Sequence, residues 1–210
     1  MGNCFRRPLD ENIIAEMELL DRKKKSVETV FNRRMKIILV GDSNTGKTSI
    51  MERHCDKTFR KNAVSSTSSS IRIMHADYEG EEVQIALWDI PGSEFGFKHA
   101  LHHARNADAI VFVYDVINKK SLHNLLEWSK KMRFLKTIHD TTPKIVVGNK
   151  IDLNPNSMES LPLSLVESLV GEIWHLRVSA KTGENMDKFS KYIDYLAERI
   201  IDMQKENAKH

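Results

Sequence analysis

The sequence predicts an α/β fold, a mostly parallel sheet flanked by helices. Three observations predict it. From Met35 onward, short apolar runs alternate with amphipathic stretches, the order that builds a parallel sheet through right-handed crossovers. Two of those runs, Asp108–Tyr114 and Lys144–Val147, are close to continuously apolar, as in strands covered on both faces. The first run ends in a glycine-rich loop that opens a helix, Gly41-Asp42-Ser43-Asn44-Thr45-Gly46-Lys47-Thr48.

Element by element, Met35–Val40 reads as a strand stopped by Gly41, and Lys47–Lys57 as a helix. Ile71–His75 and Val83–Leu87 flank a turn at Glu79-Gly80 and read as a hairpin. The two apolar strands follow, with a helix between them over Leu122–Phe134 that carries Leu125, Trp128 and Met132. A shorter helix over Leu161–Val170 precedes a strand over Ile173–Val178. In the last helix Met186, Phe189, Ile193, Leu196, Ile200 and Met203 recur at intervals of three and four, which makes one apolar stripe. Residues 1–34 differ from all this. They are rich in charge, with Leu9, Ile13, Met17 and Leu20 on one helical face and Arg22-Lys23-Lys24-Lys25 after them.

A chain of 210 residues suits one domain with an appendage. A hydrophobic share of 40% and a charged share of 29% read as globular. The net charge of +3 is too small to argue for nucleic acid. Cys4 and Cys55 make no disulfide framework, so a reducing compartment is expected. No apolar run approaches the roughly 20 residues of a membrane span, and the N-terminus has no secretory apolar core.

The chemistry sits in three loops. Residues Gly41–Thr48 fit the full phosphate-loop pattern in its required strand-to-helix setting. Backbone N–H groups from Asp42, Ser43, Asn44, Thr45, Gly46, Lys47, Thr48 and Ser49 are expected around phosphate oxygens, with the helix N-terminus adding positive charge. Lys47 would reach the β- and γ-phosphates and Thr48 would ligate Mg²⁺. Asn149-Lys150-Ile151-Asp152 follows a buried strand. The Asp152 carboxylate can accept both N–H groups of guanine's pyrimidine edge, a donor pair that adenine lacks. Ser179-Ala180-Lys181 follows the last strand, where a backbone N–H can meet the guanine O6. All three lie at the C-terminal ends of strands, the ligand edge of an open α/β sheet. An ATP-using enzyme is opposed by Asn149, Asp152 and Ala180.

With these residues the sequence resembles the Ras superfamily of small GTPases, most closely its Rab branch, over residues 35–201. The resemblance rests on "GDSNTGKTS", "LWDIPGSE", "ADAIVFVYDVINKKSLHNLLEW", "VVGNKIDL" and "VSAKTGENM". It implies a six-stranded sheet, a GTP/GDP cycle with Mg²⁺, and a monomer. It also implies an exchange factor, a GTPase-activating protein and effectors that read switch loops around 58–70 and 89–105. It implies that Asp89 holds Mg²⁺, usually through water, that Gly92 offers its N–H to the γ-phosphate, and that Phe59 lies against guanine or serves as a loop anchor. The resemblance also implies a first-switch Mg²⁺ ligand, a role that either Ser66 or Thr67 could serve, with Ser66 favoured by ungapped spacing. The organisation expected is a basic, amphipathic extension over 1–34, a GTPase domain over 35–205 and a short polar tail over 206–210.

The departures matter as much. Ser93 stands where the family has the glutamine that orients attacking water, and Pro91 where it has alanine. Slow intrinsic hydrolysis is therefore expected. The alternative is a GTP-binding scaffold with negligible turnover. Asn44 is bulkier than the family's residue and could crowd the γ-phosphate. Ser68 replaces the glycine after the first-switch threonine, and His103 and Ala104 replace an aromatic pair. His99, His102 and His103 at helical spacing invite a metal reading, but a solvated helix face is favoured.

No cysteine follows Cys55, so C-terminal prenylation is not expected. Met1-Gly2-Asn3-Cys4 offers Gly2 for myristate and Cys4 for palmitate, although Arg6 stands where serine or threonine is usual. Two acyl chains with Arg6, Arg7 and the 22–25 run would hold the chain to lipid. The cytoplasmic face of a membrane is thus the expected location, against an unmodified tail, with a role in vesicle traffic or signalling and no nucleic-acid partner.

Overall fold

The computed structural model describes residues 33–61, 66–78, 80–93, 103–134, 142–154, 164–165 and 173–207. A six-stranded sheet runs through it in the order β2-β3-β1-β4-β5-β6. Its strands are β1 (Arg33–Val40), β2 (Ser70–Tyr78), β3 (Glu81–Asp89), β4 (Ala109–Asp115), β5 (Lys144–Asn149) and β6 (Ile173–Arg177). The β2–β3 hairpin is antiparallel, and every other pairing is parallel. The helices α1 (Lys47–Cys55), α2 (Lys119–Phe134) and α3 (Met186–Asn207) flank it.

The period-two alternation of a strand builds two cores from β1 alone. Met35, Ile37 and Leu39 point to one face, among Ile50 and Met51 of α1 and Phe189, Ile193 and Leu196 of α3. Ile38 and Val40 point to the other, among Leu122, Leu125, Trp128 and Met132 of α2. Helices on both faces explain why β4 is buried along its whole length and reads as unbroken apolar sequence. Each large apolar side chain so buried contributes about 1.5–3 kcal/mol. At the sheet edge β2 alternates instead, leaving Ile71 and Ile73 exposed.

The boundaries differ modestly from expectation. β1 begins at Arg33, before Met35, because its pairing with β3 starts at Arg33↔Val83. α3 runs on to Asn207, past the end expected for the domain. Its stripe buries Met186, Phe189, Ile193 and Leu196, joined by Tyr192, Ala197 and Ile201. Of the helix predicted over 161–170, only Ser164 and Leu165 are among the described residues, and both are helical. The N-terminal segment through residue 32, with Gly2 and Cys4, lies outside them, as do His99 and His102. No helix among the described residues is long and apolar enough to cross a membrane.

The topology places the site. β1 lies in the middle, with β2 and β3 on one side and β4, β5 and β6 on the other. At the C-terminal ends, Asp89 closes β3, Asp115 closes β4 and Asn149 closes β5, with the glycine-rich loop beside them after β1. A crevice at such a reversal of strand order is where open α/β sheets bind ligands.

Candidate nucleotide-binding site

A cleft of about 310 Å³ opens at this edge. Asn44, Gly46, Lys47, Thr48 and Ser49 line one end; Phe59, Asn149, Lys150, Asp152, Ala180 and Lys181 line the other. Residues far apart in the chain are thus brought together as the three motifs predict.

At the first end, the helix N-terminus is left open. α1 starts at Lys47 after Gly46, whose φ is 90°, and no side chain caps it. Its first N–H groups are therefore available to an anion. Only glycine fits at 46, since a Cβ there would run into the Asn149 side-chain nitrogen. Lys47 is 4% exposed, and its Nζ donates to the carbonyls of Gly41 at 2.9 Å and Asp42 at 2.8 Å. Burial pulls its pKa down to about 8, against the opposing pull of Asp89 and Asp42.

At the second end, Asn149 joins two loops. Its Nδ2 donates to the Thr45 carbonyl at 3.0 Å, and its Oδ1 accepts the Ala180 N–H at 3.1 Å. An incoming carbonyl oxygen would share that N–H. Lys150 bridges in the same way, from its Nζ to the Asn44 carbonyl at 2.7 Å and the Asp115 carboxylate at 2.6 Å. Asp152 is braced by the Ser179 hydroxyl at 2.7 Å and by Lys181 at 3.3 Å. Burial alone would raise its pKa, but those two partners outweigh it and hold the carboxyl below its usual range.

Between the ends, the Thr48 hydroxyl donates to Asp89 Oδ2. Asp89 is fully buried and its Oδ1 has no hydrogen-bond partner. Burial pushes its pKa up, while Thr48, Lys47 and Ser66 draw it down. An orphaned carboxylate oxygen beside a hydroxyl is the hard-oxygen donor set that suits Mg²⁺. Ser66 lines the cleft and Thr67 is exposed.

Other predicted residues sit around the cleft without lining it. The Asp42 carboxylate turns away, held by Asn124 Nδ2 at 2.6 Å and Trp128 Nε1 at 3.0 Å. The Thr45 hydroxyl donates back to the Asp42 carbonyl at 3.0 Å. Gly92 packs so tightly on the loop that a Cβ would strike the backbone of Asp42 and Ser43. Gly92 and Ser93 border a second cleft of about 220 Å³, shared with Asp42, Asn124, Glu127, Trp128 and Lys131. His103 stacks on the Trp88 indole, with ring centroids 5.3 Å apart.

Four contributors escaped the sequence reading: Arg53, Asp115, Asn124 and Trp128. Arg53 donates from Nε to the Ala180 carbonyl at 2.7 Å and from Nη2 to the Lys181 carbonyl at 2.8 Å. Nothing in the sequence announces which loop will dock on α1. Asp115 did carry a signal, a carboxylate closing a buried strand at the ligand edge.

The Ras family model matches residues 36–199, nearly the whole described fold. The chain belongs to the Ras family of small GTPases. It is 34% identical to Ras-related protein Rab-33A of Mus musculus over 154 residues, 73% of this chain and 63% of that one. It is 30% identical to Ras-related protein RABE1e of Arabidopsis thaliana over 156 residues, 73% and 70% of the two chains. With Ras-related protein Rab-13 of Canis lupus familiaris the identity is 25% over 158 residues, 75% and 77%. The protein is a Rab-like small GTPase, and the six-stranded sheet with its cleft is the framework of that fold.

Proposed function

We propose that the cleft binds GTP and GDP with Mg²⁺ and that the protein is a guanine-nucleotide switch with slow intrinsic hydrolysis. The observation that carries this is the pairing of an uncapped helix N-terminus at Lys47 with a braced, ionised Asp152 in one cleft. Phosphates would take the N–H groups of residues 42–49, and Lys47 would exchange its two carbonyl partners for β- and γ-phosphate oxygens. The incoming negative charge would restore the ammonium that burial disfavours. Asp152 would accept the two guanine N–H groups, with Ser179 and Lys181 holding its geometry. Phe59, Lys150 and Ala180 would frame the base.

Thr48, Asp89 and Ser66 would hold Mg²⁺, which neutralises phosphate charge as it develops. Ser66 is preferred to Thr67 because it lines the cleft. Gly92 would donate its N–H to the γ-phosphate. Ser93, beside it, is too short to orient water as a glutamine does. That substitution also favours a second reading, a GTP-binding scaffold with negligible turnover.

The wider reading is a monomeric, Rab-like switch in vesicle traffic or signalling. The GTPase domain would span 35–205. Residues 1–34 would hold it to the cytoplasmic face of a membrane through acylated Gly2 and Cys4, and the loops around 58–70 and 89–105 would meet its regulators and effectors. Competition for labelled GDP tests the nucleotide assignment: GTP displaces it and ATP does not. Equal displacement by ATP overturns it. Mass spectrometry that finds a free or acetylated N-terminus overturns the acylation.

A further inference from the structure

Glu52 lies in α1 and is 1% exposed, as buried as the apolar core around it. Its Oε1 is paired with Arg60, and its Oε2 has no hydrogen-bond partner. Arg60 is the reverse, with a side chain 68% exposed. It lines the nucleotide cleft beside Phe59 and Lys61. The chain after α1 therefore folds back along the helix and is held there by a carboxylate inside the fold. The other ties described for this stretch act on its first residues. The Asp56 N–H donates to the Glu52 carbonyl at 2.8 Å, Arg53 Nη1 to the Lys57 carbonyl at 3.0 Å and Lys57 Nζ to the His54 carbonyl at 2.8 Å.

A carboxylate removed from water keeps its charge only with a well-placed cation, and Arg60 supplies one through a single contact to Oε1. We propose that Glu52 and Arg60 form a latch that holds residues 57–61, and with them Phe59, against the base end of the cleft, and so sets how long a nucleotide stays bound. Arg60 is the clasp at the cleft. Glu52 is a positioning residue that acts through it. The latch rests on the reading that this cleft binds guanine nucleotide.

The test is the release rate of fluorescently labelled GDP from the full chain at fixed Mg²⁺. Arg60 is exposed, so Arg60→Ala removes no core side chain, and adding Glu52→Gln removes the buried carboxylate it leaves unpaired. It is expected to speed release about tenfold or more, a loss of bound-state stabilisation read directly as rate. Glu52→Gln should do the same, and the double variant should release no faster than Arg60→Ala, because the two residues act as one unit. Arg60→Lys, which keeps a cation, should stay within about threefold of the wild type. Release from Arg60→Ala within about twofold of wild type overturns the latch, whatever happens to its melting temperature. So do effects that multiply in the double variant. If the folded wild type takes up no labelled GDP at all, the nucleotide assignment itself fails, an outcome visible before any release rate is measured, and the latch fails with it.

Discussion

The Thr48 hydroxyl is hydrogen-bonded to the Asp89 carboxylate across a sequence separation of 41 residues. The bond ties the first turn of α1 to the end of β3. The other Asp89 oxygen is buried without a hydrogen-bond partner, which leaves it open to the Mg²⁺ proposed above. Removing the Thr48 hydroxyl takes away one oxygen donor and the partner that orients the other. Thr48→Val should weaken Mg²⁺-dependent GDP binding about 10–100-fold. The check is labelled-GDP release with and without EDTA. EDTA should accelerate release from the wild type strongly and from the variant little.

Ser93 lies beside Gly92 at the loop that contacts Asp42 and Ser43. A glutamine there has the reach to orient water at the γ-phosphate. Ser93→Gln should raise the single-turnover rate of bound GTP by about tenfold or more, roughly 1.4 kcal/mol of barrier. An unchanged rate would mean that another group positions the water.

Asp152 is ionised and held on both oxygens. Its acceptor pair matches guanine, whereas an amide at the same place offers one acceptor and one donor. Asp152→Asn should lose GDP affinity by roughly a hundredfold or more. It should also gain affinity for xanthosine diphosphate, whose ring carries a carbonyl where guanine has its amino group. Competition binding with both nucleotides reads the exchange.

His54 contributes a pH dependence to stability. Its ring packs edge-on to Phe189, and its Nδ1 meets the Ser190 hydroxyl at 2.9 Å. Burial pushes its pKa down from 6.5 to about 4, helped by Lys57 and opposed by Asp194. The unfolded chain takes up the proton near its ordinary value and the folded chain only near the lowered one. Acidification through that window therefore favours unfolding, by about 2 kcal/mol at pH 5. The contribution vanishes above the ordinary value. Urea unfolding at pH 7 and pH 5 should show the loss in the wild type, and His54→Leu should remove most of it.

The placement of the candidate site was legible in the sequence because its short loops follow strands at fixed spacing. Gly41–Thr48 and Asn149–Asp152 follow strands whose apolar runs are plain to read, so their place at one sheet edge follows from topology. What was not legible depends on side chains that reach across the fold. Arg53 sits on a helix whose sequence says nothing of the loop beyond β6. The Asp42 carboxylate lies in a phosphate-binding motif, yet it faces α2, because Asn124 and Trp128 stand there to receive it. Glu52 breaks the expectation that a carboxylate faces water, and only its pairing with Arg60 makes sense of it.

The position of Arg53 has a geometric consequence. In the proposed nucleotide complex α1 would meet phosphate at its first residue, and it anchors the Ala180–Lys181 loop from Arg53, six residues on, or about 9 Å of helix. The helix would thus be a ruler laid along the ligand, with both ends of the scale fixed to the same rigid rod. A residue inserted between Lys47 and Arg53 would turn the guanidinium by about 100° and lengthen the rule by about 1.5 Å. Base and phosphate grips would then no longer fit a single nucleotide at once, though each would survive alone.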